Sequence, residues 1–138
     1  MMGKKALKGA SQSTSAAVDV SDVFSTYVYT GTGATQTITN GIDLAGEGGM
    51  VWIKRRSGAQ QHALMDTERG VGNRLASDST IAEDFYAGYL SAFNNNGFTI
   101  GDGGIVNTSG QTHASWTFRK APRFFDVVTW TGNGVAGR

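Results

Sequence analysis

Short runs of β-branched and aromatic residues, each followed by a turn rich in glycine or asparagine, recur along this chain of 138 residues. Such runs favour β-strands, because branched and aromatic side chains pack well on a pleated surface. The 20 glycines, against a single proline, suit the tight turns that would connect the strands. A chain of this length can bury one core of moderate size. The sequence therefore predicts a single all-β domain.

The predicted strands are short and distributed over most of the chain. They cover residues 24–30, 35–39, 50–54, 62–66, 90–93, 97–101 and 113–118. Met50–Lys54 is the most apolar of these runs, which favours a central position in a sheet. Asn94–Asn96 separates two of the runs, and asparagine tolerates the left-handed conformation of tight turns. A hairpin is therefore expected there.

Two further segments are interpreted from their residue spacing. In the last predicted strand, Ala114, Trp116 and Phe118 alternate with polar residues, which predicts that their shared face is buried. Between residues 74 and 90, glycine, serine and aspartate favour a loop with a short turn of helix. A longer helix is the alternative for this segment, because three apolar side chains lie four residues apart.

A segment near the C-terminus repeats the first predicted strand. Residues 24–33 read Phe-Ser-Thr-Tyr-Val-Tyr-Thr-Gly-Thr-Gly, and residues 125–134 read Phe-Asp-Val-Val-Thr-Trp-Thr-Gly-Asn-Gly, at an offset of 101. Self-similarity at a fixed offset is the sequence signature of repeated units. We divide the chain into an N-terminal arm, residues 1–23, a β-domain, residues 24–123, and residues 124–138, which begin a second repeat or form a C-terminal connecting strand. Two similar but unrelated strands in one domain are the alternative.

The N-terminal arm is composed of small and polar residues and has too few large apolar groups to form a core. It carries Lys4, Lys5 and Lys8 near its start and Val18 and Val20 near its end, which we take as candidate contacts with a partner protein. A terminus without fixed structure is an equal alternative to an arm that orders against a neighbour. No apolar segment of a secretory signal follows the lysines, so the protein is expected to stay where it is made until it is assembled.

Charge and cysteine content exclude several classes of function. The formal net charge is +1, which argues against a surface dedicated to nucleic acid or to an anionic membrane. The chain contains no cysteine, so disulfides, thiolate zinc sites and cysteine nucleophiles are excluded. No apolar run approaches the roughly 18 residues of a membrane span. We therefore expect no nucleic-acid partner, no membrane association and no cofactor.

The residues that could support catalysis or metal binding do not form a recognisable motif. His62 and His113 lie outside any nucleophile-elbow frame. His62 and Asp66 would provide only two metal ligands, which do not make a closed site. Asp66 and Arg69 are better explained as a pair that fixes the turn after a strand through hydrogen bonds. The sequence therefore predicts neither a metal site nor a nucleophilic catalyst.

Carboxylates and tryptophans could still act on sugars. Glu83 and Asp84 could be proposed as glycosidase carboxylates, but neighbouring side chains on a strand point to opposite faces, so a solvated loop pair is expected. Trp52 and Trp130 could stack on sugar rings if they are exposed, although their positions in alternating strands favour packing in the core. We predict no enzymatic activity, with binding of glycans through these two tryptophans as an alternative.

Several motifs, in the same order, resemble a domain that recurs in structural proteins of tailed bacteriophages. They are Gly49-Met-Val-Trp-Ile-Lys-x-Arg-Ser57, His62-x-Leu-x-Asp-Thr-x-Arg-Gly70, Phe93-x-x-x-Gly-Phe-Thr-Ile-Gly101, Asn107-x-Ser-Gly110 and Trp116-Thr-Phe-Arg-Lys-Ala-Pro-x-Phe-Phe-Asp-Val-Val128. The resemblance covers about residues 24–134. It implies a concanavalin-like or jelly-roll sandwich that often stands in tandem copies within tail-fibre-like proteins.

The resemblance implies a location in the virion and supplies no defined reaction. We therefore expect a jelly-roll-like antiparallel β-sandwich with an extended N-terminal arm, acting as the particle-attaching part of a tail fibre or similar appendage. Expected partners are other virion proteins, such as a tail adaptor, nozzle or neck protein, and identical subunits in a homotrimer, since fibres are multimeric. A carbohydrate-binding module for host-surface glycans and a head decoration or capsid fibre protein are the alternatives.

Overall fold

The computed structural model of the protein describes residues 17–136. Lys4, Lys5 and Lys8, with most of the predicted N-terminal arm, lie outside the described residues. In the described part the elements are α1 (Val20–Val23), β1 (Phe24–Thr30), β2 (Gln36–Thr39), α2 (Leu44–Glu47), β3 (Gly49–Arg55), β4 (Ala63–Asp66), β5 (Asn73–Arg74), β6 (Asp84–Phe85), β7 (Leu90–Asn94), β8 (Gly97–Ile100), α3 (Gly104–Asn107) and β9 (Thr112–Arg119).

The strands form two main sheets and a small ladder, and every pairing is antiparallel. Within residues 17–136, the first sheet has the order β1-β9-β3-β4, the second has the order β2-β8-β7, and β5 pairs with β6. Side chains from both main sheets meet in one hydrophobic core. The predicted all-β antiparallel sandwich is therefore confirmed. β3 lies between β9 and β4, the central position that its apolar sequence predicts.

β3 from the first sheet and β8 from the second both contribute large side chains to the core. Val51 and Ile53 face inward from β3, Phe98 and Ile100 face inward from β8, and all four are 0% exposed. These positions follow the two-residue period of a strand with one buried face. Burying a side chain of this size stabilises the fold by roughly 1.5–3 kcal/mol. These two central strands therefore help to hold the sheets together.

The predicted strands agree with the structure to within one residue at each end. The strand ends agree because the turn residues that mark them can be recognised in the sequence. The predicted hairpin is confirmed, since β7 and β8 are joined by Asn95 and Asn96, and Asn94 pairs with Gly97 across the turn. Gly97 has a φ of 148° and lies so close to the carbonyl of Ile38 in β2 that a larger residue would collide with it. A glycine is therefore required where the hairpin meets the neighbouring strand.

The prediction for the faces of β9 is wrong. His113, Ser115 and Thr117 face the core and are 0% exposed, whereas the apolar residues between them lie on the outer face. β9 therefore contributes polar side chains, including the large ring of His113, to a core that also contains large apolar side chains from β3 and β8. The β9 hydroxyls are paired, because Thr117 Oγ1 accepts from Asn40 Nδ2 at 2.9 Å and Ser115 Oγ donates to Tyr27 O at 3.4 Å. This pairing removes most of the cost of burying them.

Aromatic side chains cover the outer face of the first sheet. The ring of Trp116 lies 5.8 Å from that of Trp52, and the ring of Phe118 lies 5.0 Å from Phe24 and 5.2 Å from Phe125. We call these five half-buried residues the outer aromatic row. Aromatic pairs in such arrangements contribute about 0.5–1.5 kcal/mol each beyond the area they bury. The apolar face of β9 is therefore packed against neighbours on the outside of the sandwich.

The connection between β4 and β7 contains no helix, so the predicted short turn of helix in residues 74–90 is wrong. β5 and β6 pair there instead, with Arg74 opposite Asp84. The apolar side chains at helical spacing do not share a face, because Ile81 and Phe85 are 44% and 67% exposed while Tyr89 is 9% exposed. The pairing of β5 with β6 and the burial of Arg74 decide the path of this segment.

Candidate functional site

The first candidate surface begins at α1, the single helical turn in front of β1. Asp19 caps this turn, and hydrogen bonds from the hydroxyl and backbone N–H of Ser21, at 2.7 and 2.8 Å, lower the pKa of its carboxyl group. Val23 points inward and is 2% exposed, whereas Val18 and Val20 are 46% and 65% exposed. The turn is therefore anchored by one valine and presents two others to solvent.

A second turn, residues 121–125, follows β9. The N–H of Ala121 donates to the carbonyl of Phe125 at 3.0 Å, and the N–H of Phe125 donates to the carbonyl of Ala121 at 3.2 Å. Phe125 packs into the outer aromatic row, and Ala121 is buried. Phe124 has no such cover and is 44% exposed. The turn thus holds one aromatic ring against the sheet and directs the next one outward.

The two turns lie together and enclose a shallow groove of about 290 Å³. Its lining comes from both terminal parts of the described chain and consists of Ala17, Val18, Val20, Val23, Pro122, Arg123 and Phe124. We call this surface the terminal groove. All of its lining residues except Arg123 are apolar. Exposed apolar surface occurs at contacts with other proteins, at membranes and in ligand-binding grooves.

Beyond the terminal groove, residues 126–136 form no strand and carry large apolar side chains into solvent. We call them the tail. Val128, Trp130 and Val135 are 67%, 73% and 68% exposed. With the three exposed residues of the terminal groove, they make up six of the thirteen large hydrophobic side chains exposed in the described part of the chain. The exposed apolar surface is thus concentrated at the terminal segments.

The structure separates the residues that the sequence marked as candidates. Val18 and Val20 lie in the terminal groove, and Trp130 lies in the tail. Trp52 belongs to the outer aromatic row, where its indole N–H donates to His62 Nδ1 at 2.8 Å. Phe124 was missed by sequence reasoning. No local signal identifies it, because its place beside α1 depends on a contact between segments about a hundred residues apart.

The pair formed by Asp66 and Arg69 fixes the turn after β4, and this prediction is confirmed. Asp66 is 4% exposed and accepts hydrogen bonds from the backbone N–H groups of Glu68 and Arg69 at 3.0 and 2.9 Å. Arg69 Nε donates to the same carboxylate at 2.7 Å, and Arg69 Nη1 lies 3.3 Å from Glu83 Oε2. These contacts join the turn to the following loop, which is a structural role.

Arg74 forms a second buried pair in the same region. It is 3% exposed, and its Nε and Nη2 donate to the two carboxylate oxygens of Asp84 at 2.8 and 2.9 Å. Its Nη1 donates to Gln61 Oε1 at 3.2 Å, and its guanidinium lies 5.2 Å from the ring centre of Tyr89. The hydrogen bonds from Arg74 lower the pKa of Asp84. Glu83 and Asp84, expected to be a solvated loop pair, keep 45% and 40% of their side chains exposed, but each also forms an ion pair with an arginine, and Asp84 lies in β6.

A second groove, of about 570 Å³, lies beside Tyr86 and Asp102. The hydroxyl of Tyr86 donates to Asp102 Oδ1 at 2.8 Å, and this hydrogen bond raises the pKa of Tyr86. The ring of Tyr86 remains 45% exposed, and glycines form much of the wall. The sequence analysis did not identify this groove. An aromatic ring can stack on a sugar, and a neighbouring carboxylate can accept hydrogen bonds from the sugar hydroxyls.

His113 is buried on the inner face of the first sheet, where its ring stacks on Tyr29 at a centroid distance of 5.1 Å. Burial lowers the pKa of His113 below its ordinary value of 6.5. The unfolded chain therefore binds this proton more readily than the folded protein does. We expect the free energy of unfolding to fall as the pH decreases from about 6.5.

The variant His113→Phe keeps an aromatic ring against Tyr29 and removes the titrating group. Its free energy of unfolding should depend less on pH than that of the wild type between about pH 6.5 and about pH 5. Urea denaturation at a series of pH values measures both dependences. The same loss of stability in both proteins over this range would show that His113 does not cause it.

The described residues contain no arrangement of three or more His, Asp or Glu side chains that could hold a metal ion. No helix in residues 17–136 has the length and apolar character needed to cross a membrane. The buried charged residues Asp66 and Arg74 are each paired with a residue of opposite charge, and six of the thirteen exposed large apolar side chains of the described residues lie in the terminal groove and tail. These features define the class of the protein as a small antiparallel β-sandwich domain with apolar terminal surfaces.

Residues 19–138 match the family described as Domain of unknown function (DUF7483), and the chain belongs to this family. The match begins at Asp19, which caps α1, and continues through the tail. Most of the residues that line the terminal groove therefore lie within the matched region. No curated protein and no solved structure matches the chain.

Proposed function

We propose that this protein is a non-enzymatic structural domain of a tailed-bacteriophage virion, the particle-attaching part of a tail fibre or similar appendage. The observation that carries the proposal is the gathering of exposed apolar side chains at the terminal groove and tail. The ordered motifs that resemble a phage structural domain favour the virion as the place of assembly. Its partners in this role are other virion proteins and identical subunits of a homotrimer.

The terminal groove has the chemistry of a protein contact. Val18, Val20 and Phe124 are each between 44% and 65% exposed and lie around one depression. Removing their remaining apolar surface from water would stabilise a complex by about 25 cal/mol for each Å² buried. An apolar segment of a neighbouring virion protein fits such a surface better than a polar or charged ligand does. The groove therefore supports attachment to another protein.

The hydrogen bonds of two acid–arginine pairs also support a structural role. Asp66 with Arg69, and Arg74 with Asp84, fix the long connection between β4 and β7 by hydrogen bonds within the domain. A general acid or base must be free to reach a substrate proton. These four residues are instead occupied in maintaining the loop.

Binding of host glycans is the second candidate function. It is favoured by the groove beside Tyr86 and Asp102, which offers an exposed ring and a carboxylate, and by the exposure of Trp130. Binding of the 138-residue chain to a glycan array, abolished by Tyr86→Ala or by Trp130→Ala, would favour this function over attachment. Trp52 is a weaker candidate because His62 and Trp116 pack against its ring.

The attachment proposal is tested by placing charge in the terminal groove. In the double variant Val18→Asp, Val20→Asp, two carboxylates would have to be desolvated at the contact, which disfavours binding. We expect the amount of this protein in purified particles to fall at least about tenfold, which corresponds to about 1.4 kcal/mol. Quantitative immunoblotting of particles from the phage that encodes the protein measures the amount.

Val71→Asp is the matched control, because Val71 is also 46% exposed but lies outside the terminal groove. This variant should be incorporated at the wild-type level. Thermal unfolding of the purified proteins shows whether each variant is folded. Normal incorporation of the folded double variant, or an equal loss with Val71→Asp, would contradict attachment through the terminal groove.

A further inference from the structure

β1 forms one edge of the first sheet, which has the order β1-β9-β3-β4. Gly31, the residue after β1, donates its N–H to the carbonyl of Gln111 at 2.8 Å and so continues the ladder between β1 and β9. Backbone groups of successive residues in a strand point to opposite sides. The odd-numbered residues of β1 therefore bond to β9, and the N–H and C=O groups of Thr26 and Val28 point away from the sheet.

The ends of this outer edge are partly occupied, and its middle is open. The N–H of Phe24 donates back into α1, and the carbonyl of Thr30 accepts from Gln36 Nε2 at 3.3 Å. Between them, the carbonyl of Thr26 accepts a long hydrogen bond from the hydroxyl of Ser25 at 3.5 Å. Within the described part of the chain, no strand pairs with this side of β1. The middle of β1 can therefore pair with another strand.

The other edges of the two main sheets are short, covered or irregular. Leu64 in β4 exchanges hydrogen bonds with Leu75 at 2.9 and 3.0 Å. The register of β7 is interrupted between Leu90 and Ala92, and Gly72 donates to the carbonyl of Leu90 at 2.9 Å. β2 has four residues. β1 has seven, with no charge, proline or bulge among them, and these are the features that normally protect a free edge.

The side chains of β1 also suit pairing with an identical strand. Tyr27 and Val28, which lie on opposite faces of the strand, are 40% and 63% exposed. Like charges directly opposite each other destabilise a pair of strands, and aromatic and β-branched pairs stabilise it. β1 has the sequence Phe-Ser-Thr-Tyr-Val-Tyr-Thr, so two copies would bring together uncharged aromatic and β-branched residues without repulsion.

We propose that two copies of this protein pair through β1, antiparallel and in the register centred on Tyr27. This register pairs all seven residues of the strand. Thr26 of one copy lies opposite Val28 of the other, and each such pair exchanges two backbone hydrogen bonds. The two Tyr27 side chains face each other at the non-hydrogen-bonded position, where cross-strand side chains are closest. The first sheets of the two copies thus join into one continuous sheet.

The contact has two-fold symmetry, because each copy presents the same residues to the other. A two-fold contact cannot lie within a ring of three identical subunits. In the proposed homotrimer, β1 would therefore join copies that belong to different trimers. The inference uses a different surface from the terminal groove and does not depend on the proposed role in the virion.

An introduced cysteine tests the register directly, since the chain contains no cysteine of its own. In Tyr27→Cys the two sulfur atoms would meet, because the Cα atoms of a non-hydrogen-bonded pair are about 4.5 Å apart, which permits a disulfide. Ser25→Cys is the matched control on the same face of β1. In the proposed register its two cysteines are offset by about 13 Å along the strand.

We expect the folded Tyr27→Cys protein to form a disulfide-linked dimer at least about tenfold faster than Ser25→Cys under the same oxidising conditions. Non-reducing gel electrophoresis measures both rates. Equal rates, or faster cross-linking of Ser25→Cys, would overturn the proposal.

Hydrogen exchange provides a second test without a cysteine. Val28→Pro removes an N–H that points away from the sheet and leaves the hydrogen bonds between β1 and β9 in place. At the same protein concentration, the amide of Thr26 should exchange at least about tenfold more slowly in the wild type, because pairing protects it. The amide of Tyr29, which bonds to β9, should exchange equally in both proteins. Equal exchange of the Thr26 amide would overturn the proposal. Slow exchange without faster cross-linking of Tyr27→Cys would mean that another segment covers β1, which would equally overturn it.

Discussion

Replacing Gly49 by alanine is expected to lower the free energy of unfolding by about 3 kcal/mol or more. Gly49 is buried at the start of β3, and a Cβ atom there would collide with the carbonyl of Phe118 in β9 and lie 2.8 Å from Leu44 Cδ2. Phe118 cannot move away easily, because it pairs with Phe24 on one side and with Met50 on the other. The collision would therefore disturb three strands of the first sheet.

Gly58→Ala is the control for this change. Gly58 is exposed, and a Cβ atom there would meet only Arg55 Cδ, at 3.8 Å, which is an ordinary contact. Its effect should stay within about 0.5 kcal/mol, as for most surface substitutions. Urea denaturation followed by circular dichroism gives both values. A loss below about 1 kcal/mol for Gly49→Ala would show that the first sheet can widen at this position.

The strands of this protein could be predicted from its sequence because each of them is specified locally. In β1 and β3, runs of branched and aromatic residues end at glycines or at charged residues, and these signals lie within the run itself. The hairpin around Asn95 and Asn96 was predictable for the same reason. Only the short pair of β5 and β6 has no such local signal, since each strand consists of two residues.

The orientation of β9 could not be predicted in this way. Alternation shows that Trp116 and Phe118 share a face, but not which layer of the protein lies over that face. The structure has two apolar layers, the core and the outer aromatic row. The larger residues of β9 pack in the second of these, and Ser115 and Thr117 fit the first. A polar face can be the buried one when neighbouring strands fill the core.

The candidate site was predictable only in part. Val18 and Val20 could be proposed from the arm in which they lie, but the other wall of the terminal groove comes from Pro122 and Phe124. That wall depends on β1 pairing with β9, which brings the segment before one strand next to the segment after the other. Such a juxtaposition follows from the topology, and a single sequence contains no record of it.

The pair of Arg74 and Asp84 was missed because its members are ten residues apart in an irregular segment. Asp84→Asn removes the charge that balances a guanidinium with only 3% of its side chain exposed, and this should cost about 2–3 kcal/mol. Arg74→Met should cost less, about 1 kcal/mol, because the Asp84 side chain is 40% exposed and can return to water. The two substitutions are therefore expected to lower the free energy of unfolding by different amounts.

The dependence of stability on pH distinguishes this explanation from a simple loss of packing. The pKa of Asp84 is lowered in the folded protein by the hydrogen bonds from Arg74. Ionised Asp84 therefore stabilises the fold fully above the ordinary aspartate pKa. This stabilisation is lost as the pH falls through the lowered pKa of Asp84 in the folded protein. Below about pH 3.9, the free energy of unfolding of Asp84→Asn should therefore fall less with decreasing pH than that of the wild type. Urea denaturation at neutral pH and at a series of acidic pH values measures both effects. If Arg74→Met destabilised the protein as much as Asp84→Asn, the cost would arise from the shape of the arginine side chain, and the buried charge would not explain it.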